Sequence, residues 1–271
     1  MKLATIDHLG STAAAIVEDG GYRVLPFRDV GELLAAGSPL AGLPRDGELI
    51  TEARLRTPVL APSKVVCVGL NYKKHIEETG EPAPDRPTLF SKFAASLTGP
   101  HDAIVVPAAS ERVDLEAELV AVIGTRIRNA SVDEAAAAIA GFTVGNDISM
   151  RDHQARTSQW LQGKAWDAAT PVGPWLLTAD ECGPRPDLRI SCAVNGVSKQ
   201  DSRTSDLLFG VPELLAYISV FTALEPGDLV FTGTPGGVGQ ARPVPEFLHA
   251  GDTLVTEIES IGACTNPFVA P

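Results

Sequence analysis

The chain has 271 residues, 44% of them hydrophobic, which is enough for one large core or two smaller ones. Its 34 acidic against 22 basic side chains give a formal charge of −12, a poor match for duplex nucleic acid. No apolar run approaches ~18 residues, so no membrane span is expected; MKLATIDHLG carries no signal-peptide core, and the scattered Cys67, Cys182, Cys192 and Cys264, without a CxxC, point to a reduced cytoplasmic protein.

In chain order, residues 1–60 fall into alternating pieces broken by Gly and Pro (KLATI, AAAIVEDGGYRVL), then a short helical VGELLAAG. They are expected to form a small strand-rich N-terminal region, linked through RTPVLAPSK to a larger domain over 61–271. VVCVGL reads as a strand and NYKKHIEETG as a short helix stopped by Gly80. TLFSKF and AIVVP read as strands, and ELVAVIG as a buried one. SVDEAAAAIAGF, 131–142, predicts the clearest helix, with Ser131 as cap, Glu134 completing a capping box, and an alanine run. FTVGNDIS predicts a strand that gives way to polar residues at Asn146, and MRDHQARTSQWLQGKAWDAATPVGP an irregular stretch with short helical turns. WLLTAD, LRISCAVNG and VSKQDS predict strands, with Asn195-Gly196 as a hairpin turn. VPELLAYISVFTAL predicts a helix with Pro212 in its first turn. PGDLVFTGTPGGVG and GDTLVTEIESIG complete the chain with strands around a Gly-rich loop. Regular strand–helix alternation is absent, so a mixed or mostly antiparallel β assembly with few helices is expected.

The chemistry concentrates at DLEAELVAVIG. In a strand, residues two apart share a face, so Glu116 and Glu118 point one way with Val120 and Val122, while Leu115, Ala117, Leu119, Ala121 and Ile123 line the other. Carboxylates opening so apolar a strand are costly unless solvated, paired or metal-bound. From this motif alone, a wet strand end and a metal site both remain open. Asp147, just past another apolar strand, adds a third oxygen donor, and such a set suits Mg²⁺ or Mn²⁺ rather than zinc. His75 and Glu78, three apart on a short helix, form either a surface pair or a base oriented by a carboxylate. Lys164, between the aromatics of WLQGKAWD, either snorkels to solvent or needs a partner. Arg151 and Gln154 follow Asp147 by four and seven residues, which on a helical turn flanks the same place. TGTPGGVG, 232–239, is neither a dinucleotide fingerprint nor a P-loop; it suits a tight loop offering backbone N–H groups and the Thr234 hydroxyl to an anion.

The ordered set VGLNYKKHIEETG, LFSKF, DLEAELVAVIG, GFTVGNDISMRDHQ, QWLQGKAWD, PVGPWLLTADE, VNG, VPELLAYIS, LEPGDLVFTGTPGGVG and GDTLVTEIESIG resembles the fumarylacetoacetate hydrolase family over roughly residues 65–266. The resemblance implies a β-sandwich-like roll of that family's C-terminal type, assembled as a homodimer. It implies Mg²⁺ as cofactor, with Mn²⁺ or Ca²⁺ as alternatives, held by Glu116 and Glu118 of ExE and Asp147 of NDxS, with Asn146 supporting the turn. It matches His75 and Glu78 to the HxxE dyad, Lys164 to GKxxD, Arg151 and Gln154 to RDxQ, and Thr234 to TGTP. The substrate implied is a small anionic 2-oxo acid. In the expected reaction, an acylpyruvate such as fumarylpyruvate is hydrolysed at a C–C bond: His75, steadied by Glu78, activates water, Lys164 and the ion favour the enolate, and Arg151, Gln154 and Thr234 hold carboxylates. The alternatives are decarboxylation, of oxaloacetate for example, isomerisation of a 2-hydroxydienoate diacid, or, in a different class, a binding protein without catalysis. The stretches 79–87 and 152–163 are expected to cover the pocket.

Overall fold

Lys2–His8 and Ser11–Glu18 pair antiparallel across a tight turn in which Leu9 and Gly10 take φ of 46° and 77°, the left-handed pair that suits strand twist. Gly21–Val24 extends this meander. Lys2 and Leu3 then pair with Leu177 and Leu176, so the N-terminal strands are one wing of a larger sheet. The computed structural model describes residues 1–79 and 82–271, without the side chains of residues 78 and 79. The Glu78 carboxylate and part of the expected 79–87 cover therefore lie outside the described residues.

That sheet has twelve strands; beyond the meander it runs through Thr170–Thr178, Ile139–Asn146, Ala117–Ile123, Leu229–Phe231, Val65–Gly69 and Thr88–Lys92. Leu229–Phe231 and Val65–Gly69 are parallel; the neighbours around them are antiparallel. A second, five-stranded sheet comprises Val197–Arg203, Arg189–Val194, Thr253–Ile258, Gly262–Val269 and Ile104–Val105. Asn195 and Gly196 take φ of 52° and 78° in the hairpin expected there. No helix among the described residues exceeds the nine of Val211–Ser219, whose buried Val211, Leu214, Leu215 and Ile218 form one stripe.

Ala117–Ile123 is central and buried throughout. Leu115, Ala117, Leu119, Ala121 and Ile123 pack with the second sheet (Ile190, Cys192, Leu254) and with that helical stripe. Val120 and Val122 pack oppositely, with Leu3, Val65, Leu176 and Phe231. The alternation read from the sequence is thus a division between two cores.

Three local expectations shift: the helix expected over VPELLAYISVFTAL ends at Ser219, and two further shifts involve strands. The capping box of Ser131 and Glu134 is formed, but the helix covers only Val132–Ala137, and Ile139–Asn146 is a strand. Those eight residues are all buried between neighbouring strands, and that packing overrides the helix preference of the alanine run. TPVGP, expected to be irregular, begins the central strand Thr170–Thr178. Pro174 is accommodated where the pairing with Ile139–Asn146 shifts register between Phe142 and Val144, and Pro171 lies beyond Val172, the last residue paired with that strand.

Candidate active site

Strand register solves what spacing leaves open. Ala117 lies opposite Asn146 and Glu118 opposite Gly145, so the residue after Asn146 emerges beside the residue before Ala117. The Asp147 N–H donates to the Glu116 carbonyl at 2.9 Å. Asn146 reinforces the junction: its Oδ1 accepts the Glu116 N–H at 2.8 Å, and its Nδ2 donates to Thr256 Oγ1 of the second sheet at 2.9 Å. Ser149 Oγ donates to the Asp147 carbonyl at 2.8 Å and closes the turn. Glu116, Glu118 and Asp147 consequently offer carboxylate oxygens all within 4.8 Å of one another, in a buried setting.

Three buried cations face these acids. Lys164 Nζ donates to Glu116 Oε2 at 2.7 Å and to Asp147 Oδ2 at 2.8 Å. Lys92 Nζ is 2.7 Å from Asp147 Oδ1 and donates to the Lys164 carbonyl. Arg151 uses Nε on Asp114 at 2.9 Å, Nη2 on Glu116 at 2.6 Å and Nη1 on Gln154 at 3.0 Å. Gly163 permits this approach: a Cβ there would lie 2.5 Å from Gln154 Cβ and 2.7 Å from its backbone, so only glycine lets the Leu161–Lys164 turn close on the Arg151–Gln154 turn.

The balance of charge is uneven. Burial raises the pKa of Glu116, but Lys164 and Arg151 overcome it and hold the carboxyl down at about 2. Burial raises Glu118 too, and there Asp147 and Glu116 push the same way, well above the ordinary range. Among the described residues Glu118 accepts only the Gly233 N–H, at 2.7 Å. Gly233 donates from a φ of +100° that favours glycine, with Asn71 Cβ 2.9 Å from where a Cβ would stand. Burial lowers Lys164, but Asp147 and Glu116 outweigh it, and the lysine stays charged.

A cavity of about 140 Å³ opens on this network, and His75, Glu116, Arg151, Gln154, Lys164 and Thr234 are among its lining residues. Glu118 and Asp147 adjoin it through Glu116. His75 belongs to the Lys73–Thr79 helix, whose entry is tied to the Gly-rich loop: Asn71 Nδ2 donates to the Thr232 carbonyl at 2.7 Å, and its Oδ1 accepts the Phe209 N–H at 2.8 Å. Trp160, from the expected 152–163 cover, also lines the cavity and meets Phe90 edge-on at 5.4 Å between centroids. The ring that faces Lys164 is Phe90, 5.0 Å from Nζ, whereas Trp166 packs on His153.

Sequence reasoning noted Asp114 as the first of three alternating carboxylates but gave it no role, and did not single out Lys92 or Gln200. Lys92 ends the strand Thr88–Lys92 as its one buried residue; its signal was its place in the LFSKF segment, where nothing local marks the lysine as inward-facing. Asp114, 1% exposed, binds Arg151 and accepts the Gly239 and Gln240 N–H groups at 2.7 and 3.0 Å. Its place two residues before Glu116 was visible, but its partners were not. Gln200 carried no local signal.

A family model described as Fumarylacetoacetate (FAA) hydrolase C-terminal matches residues 64–269. The chain belongs to the fumarylacetoacetate hydrolase family. Human mitochondrial oxaloacetate tautomerase FAHD2A is 44% identical over 238 residues, 87% of this chain and 74% of that protein. Among solved structures, the fumarylacetoacetate hydrolase of Exiguobacterium antarcticum superposes with a TM-score of 0.89 at 32% identity, covering 100% of both chains. The 2-hydroxyhepta-2,4-diene-1,7-dioate isomerase of Mycobacterium marinum gives 0.82 at 35%, covering 100% of this chain and 98% of that one. The chain therefore has the mostly β family fold and stands within a family of enzymes that includes oxaloacetate tautomerases and dienoate isomerases.

Proposed function

We propose that the protein is a divalent-cation-dependent enzyme that interconverts the enol and keto forms of a compact 2-oxo diacid of the oxaloacetate class. The observation that carries this reading is the cavity of about 140 Å³ opening on Glu116 and Lys164, well below the ~300–1,000 Å³ typical of sites for drug-sized ligands. The tautomerase relatives at 44% identity support the same choice over hydrolysis of a longer acylpyruvate.

The donor set fits a cation. Four buried carboxylates, Asp114, Glu116, Glu118 and Asp147, face the buried cations Lys92, Arg151 and Lys164, and Glu118 has no ion pair among the described residues. Glu116, Glu118 and Asp147 would hold the ion, and an all-oxygen set suits Mg²⁺, with Mn²⁺ or Ca²⁺ as alternatives. Bound there, the ion supplies Lewis-acid charge that favours the enolate form of a 2-oxo acid.

The chain's own groups do the rest. Lys164, fixed between Glu116 and Asp147, sets a positive charge beside the developing oxyanion in a water-poor site. His75, on the cavity wall, takes the proton from the carbon next to the 2-oxo group or returns it there, and the enol oxygen gains or loses its own proton by exchange with water. Gln154 and Thr234 orient carboxylates; Arg151, committed to Asp114 and Glu116, acts mainly by holding Glu116 in place. The working unit in this reading is a homodimer, which light scattering would check.

Acylpyruvate hydrolysis remains a second reading because His75 lines the cavity beside Glu116, where it could activate water. Stopped-flow absorbance of enol-oxaloacetate with Mg²⁺, joined to mass-spectrometric product analysis, separates the two. Accelerated enol decay without change of mass is expected. Decay at the uncatalysed rate, with pyruvate and a second acid released from an acylpyruvate, would replace tautomerisation by hydrolysis.

A further inference from the structure

We infer that Gln200 is a positioning residue that leaves the Thr234 hydroxyl with its proton directed at the substrate. Gln200 is the one buried residue of the edge strand Val197–Arg203. Its Oε1 accepts the Ala117 N–H at 2.9 Å, and its Nε2 donates to the Pro235 carbonyl at 2.8 Å. A backbone N–H only donates and a carbonyl only accepts, so the amide cannot turn end for end without setting donor against donor and acceptor against acceptor. Its second Nε2 hydrogen is then committed to Thr234 Oγ1 at 2.8 Å. The hydroxyl is thereby an acceptor toward Gln200 and must donate its own proton elsewhere. Among the described residues no acceptor takes that proton, and Thr234 lines the cavity with Glu116 and Lys164.

An anionic 2-oxo acid presents only acceptors at its carboxylate and oxo oxygens. A hydroxyl already polarised as a donor complements it without reorganising on binding. The device is double-ended: the Ala117 N–H that orients Gln200 belongs to the Glu116–Ala117 peptide, so the segment carrying two of the expected metal ligands also sets the direction of the Thr234 proton. This inference rests on the proposed 2-oxo acid substrate and extends it to the residue that prepares the substrate contact.

The test compares wild type, Thr234→Ser, Thr234→Val, Gln200→Met, Gln200→Glu and the Gln200→Met/Thr234→Val double variant. Each is titrated calorimetrically with Mg²⁺ alone, then with oxalate, a planar dianion shaped like a 2-oxo acid enolate, and assayed for enol turnover. Thr234→Val is expected to weaken oxalate about 10-fold and Thr234→Ser to bind like wild type, as for loss and retention of one hydrogen bond to a charged ligand. Gln200→Met should weaken oxalate about 3- to 10-fold with Mg²⁺ affinity unchanged, and should add nothing in the Thr234→Val background. Gln200→Glu, which would draw the Thr234 proton to itself, should match Thr234→Val and serves if Gln200→Met does not fold. Additive losses, or weakened Mg²⁺ binding with oxalate affinity intact, would mean that Gln200 acts only through the Ala117 peptide, and would overturn the inference. If no variant turns over the enol but oxalate responds as described, the tautomerase reading falls and the role of Gln200 stands.

Discussion

Two sets of ion pairs in this protein use the same side chains in opposite surroundings. At the surface, Arg189 meets Asp201 at 2.8 Å and Arg203 meets Asp187 at 2.7 Å, with every partner half or more exposed. In the interior, Arg151, Lys164 and Lys92 meet Asp114, Glu116 and Asp147 at 2.6–2.9 Å, none more than 10% exposed. Distance does not distinguish them, but dielectric does. Water screens the outer pairs, whereas each inner charge depends on its partners because burial has removed its hydration. Tight geometry alone is therefore no guide to importance here; the interior set bears on stability and, in the proposed function, on chemistry.

That contrast can be broken most severely at the proposed metal ligands. Glu118→Gln should lower Mg²⁺ affinity, read by calorimetry, by more than the ~10- to 100-fold that loss of a supporting partner costs; unchanged affinity would remove Glu118 from the site. Lys164→Met should next lower kcat by about 10²- to 10³-fold, as for removal of one preorganised charge from an oxyanion site; near-normal turnover would exclude Lys164 from the chemistry. Lys92→Met, which leaves Asp147 without one buried cation, should cost about 3–5 kcal/mol in denaturant unfolding. Arg189→Ala, at the exposed end of the comparison, should leave the midpoint unmoved, and a clear shift there would erase the distinction.

A pH series sharpens the same comparison. Glu118 is raised above its ordinary range, so in the metal-free protein it keeps its proton where a free glutamate has lost it, and cation binding must expel that proton. Mg²⁺ affinity should rise with pH through this raised value, with proton release visible as a buffer-dependent heat; flat affinity and no release would contradict it. The sign for folding differs between the two glutamates. Glu118, raised on folding, contributes stability that is fully present below the unfolded value and is lost as pH climbs through the folded one. Glu116, held at about 2, contributes stability above its ordinary value of 4.5 that disappears as pH falls toward 2.

Much of this was legible beforehand. Alternation in DLEAELVAVIG assigned Glu116 and Glu118 to one face and five apolar residues to the other, because a strand's side-chain period is fixed by the backbone. Ser131 with Glu134, and Asn195 with Gly196, announced a helix start and a hairpin because those signals are local. The end of the alanine helix was not legible: strand pairing on both sides of Ile139–Asn146 decided it, at long range. Gln200 was silent for the same reason, since its partners Ala117 and Thr234 lie 83 and 34 residues away.

By itself, the order of residues determined the strand-rich class, the faces of the central strand and, through its ordered motifs, the family. Only the tertiary structure decided that Asp147 meets Glu116, that Lys92 and Asp114 complete the charge network, and that a small cavity opens on it. The division follows from range: side-chain period and turn chemistry are properties of a few neighbouring residues, whereas register, burial and electrostatic balance exist only once strands distant in the chain have paired.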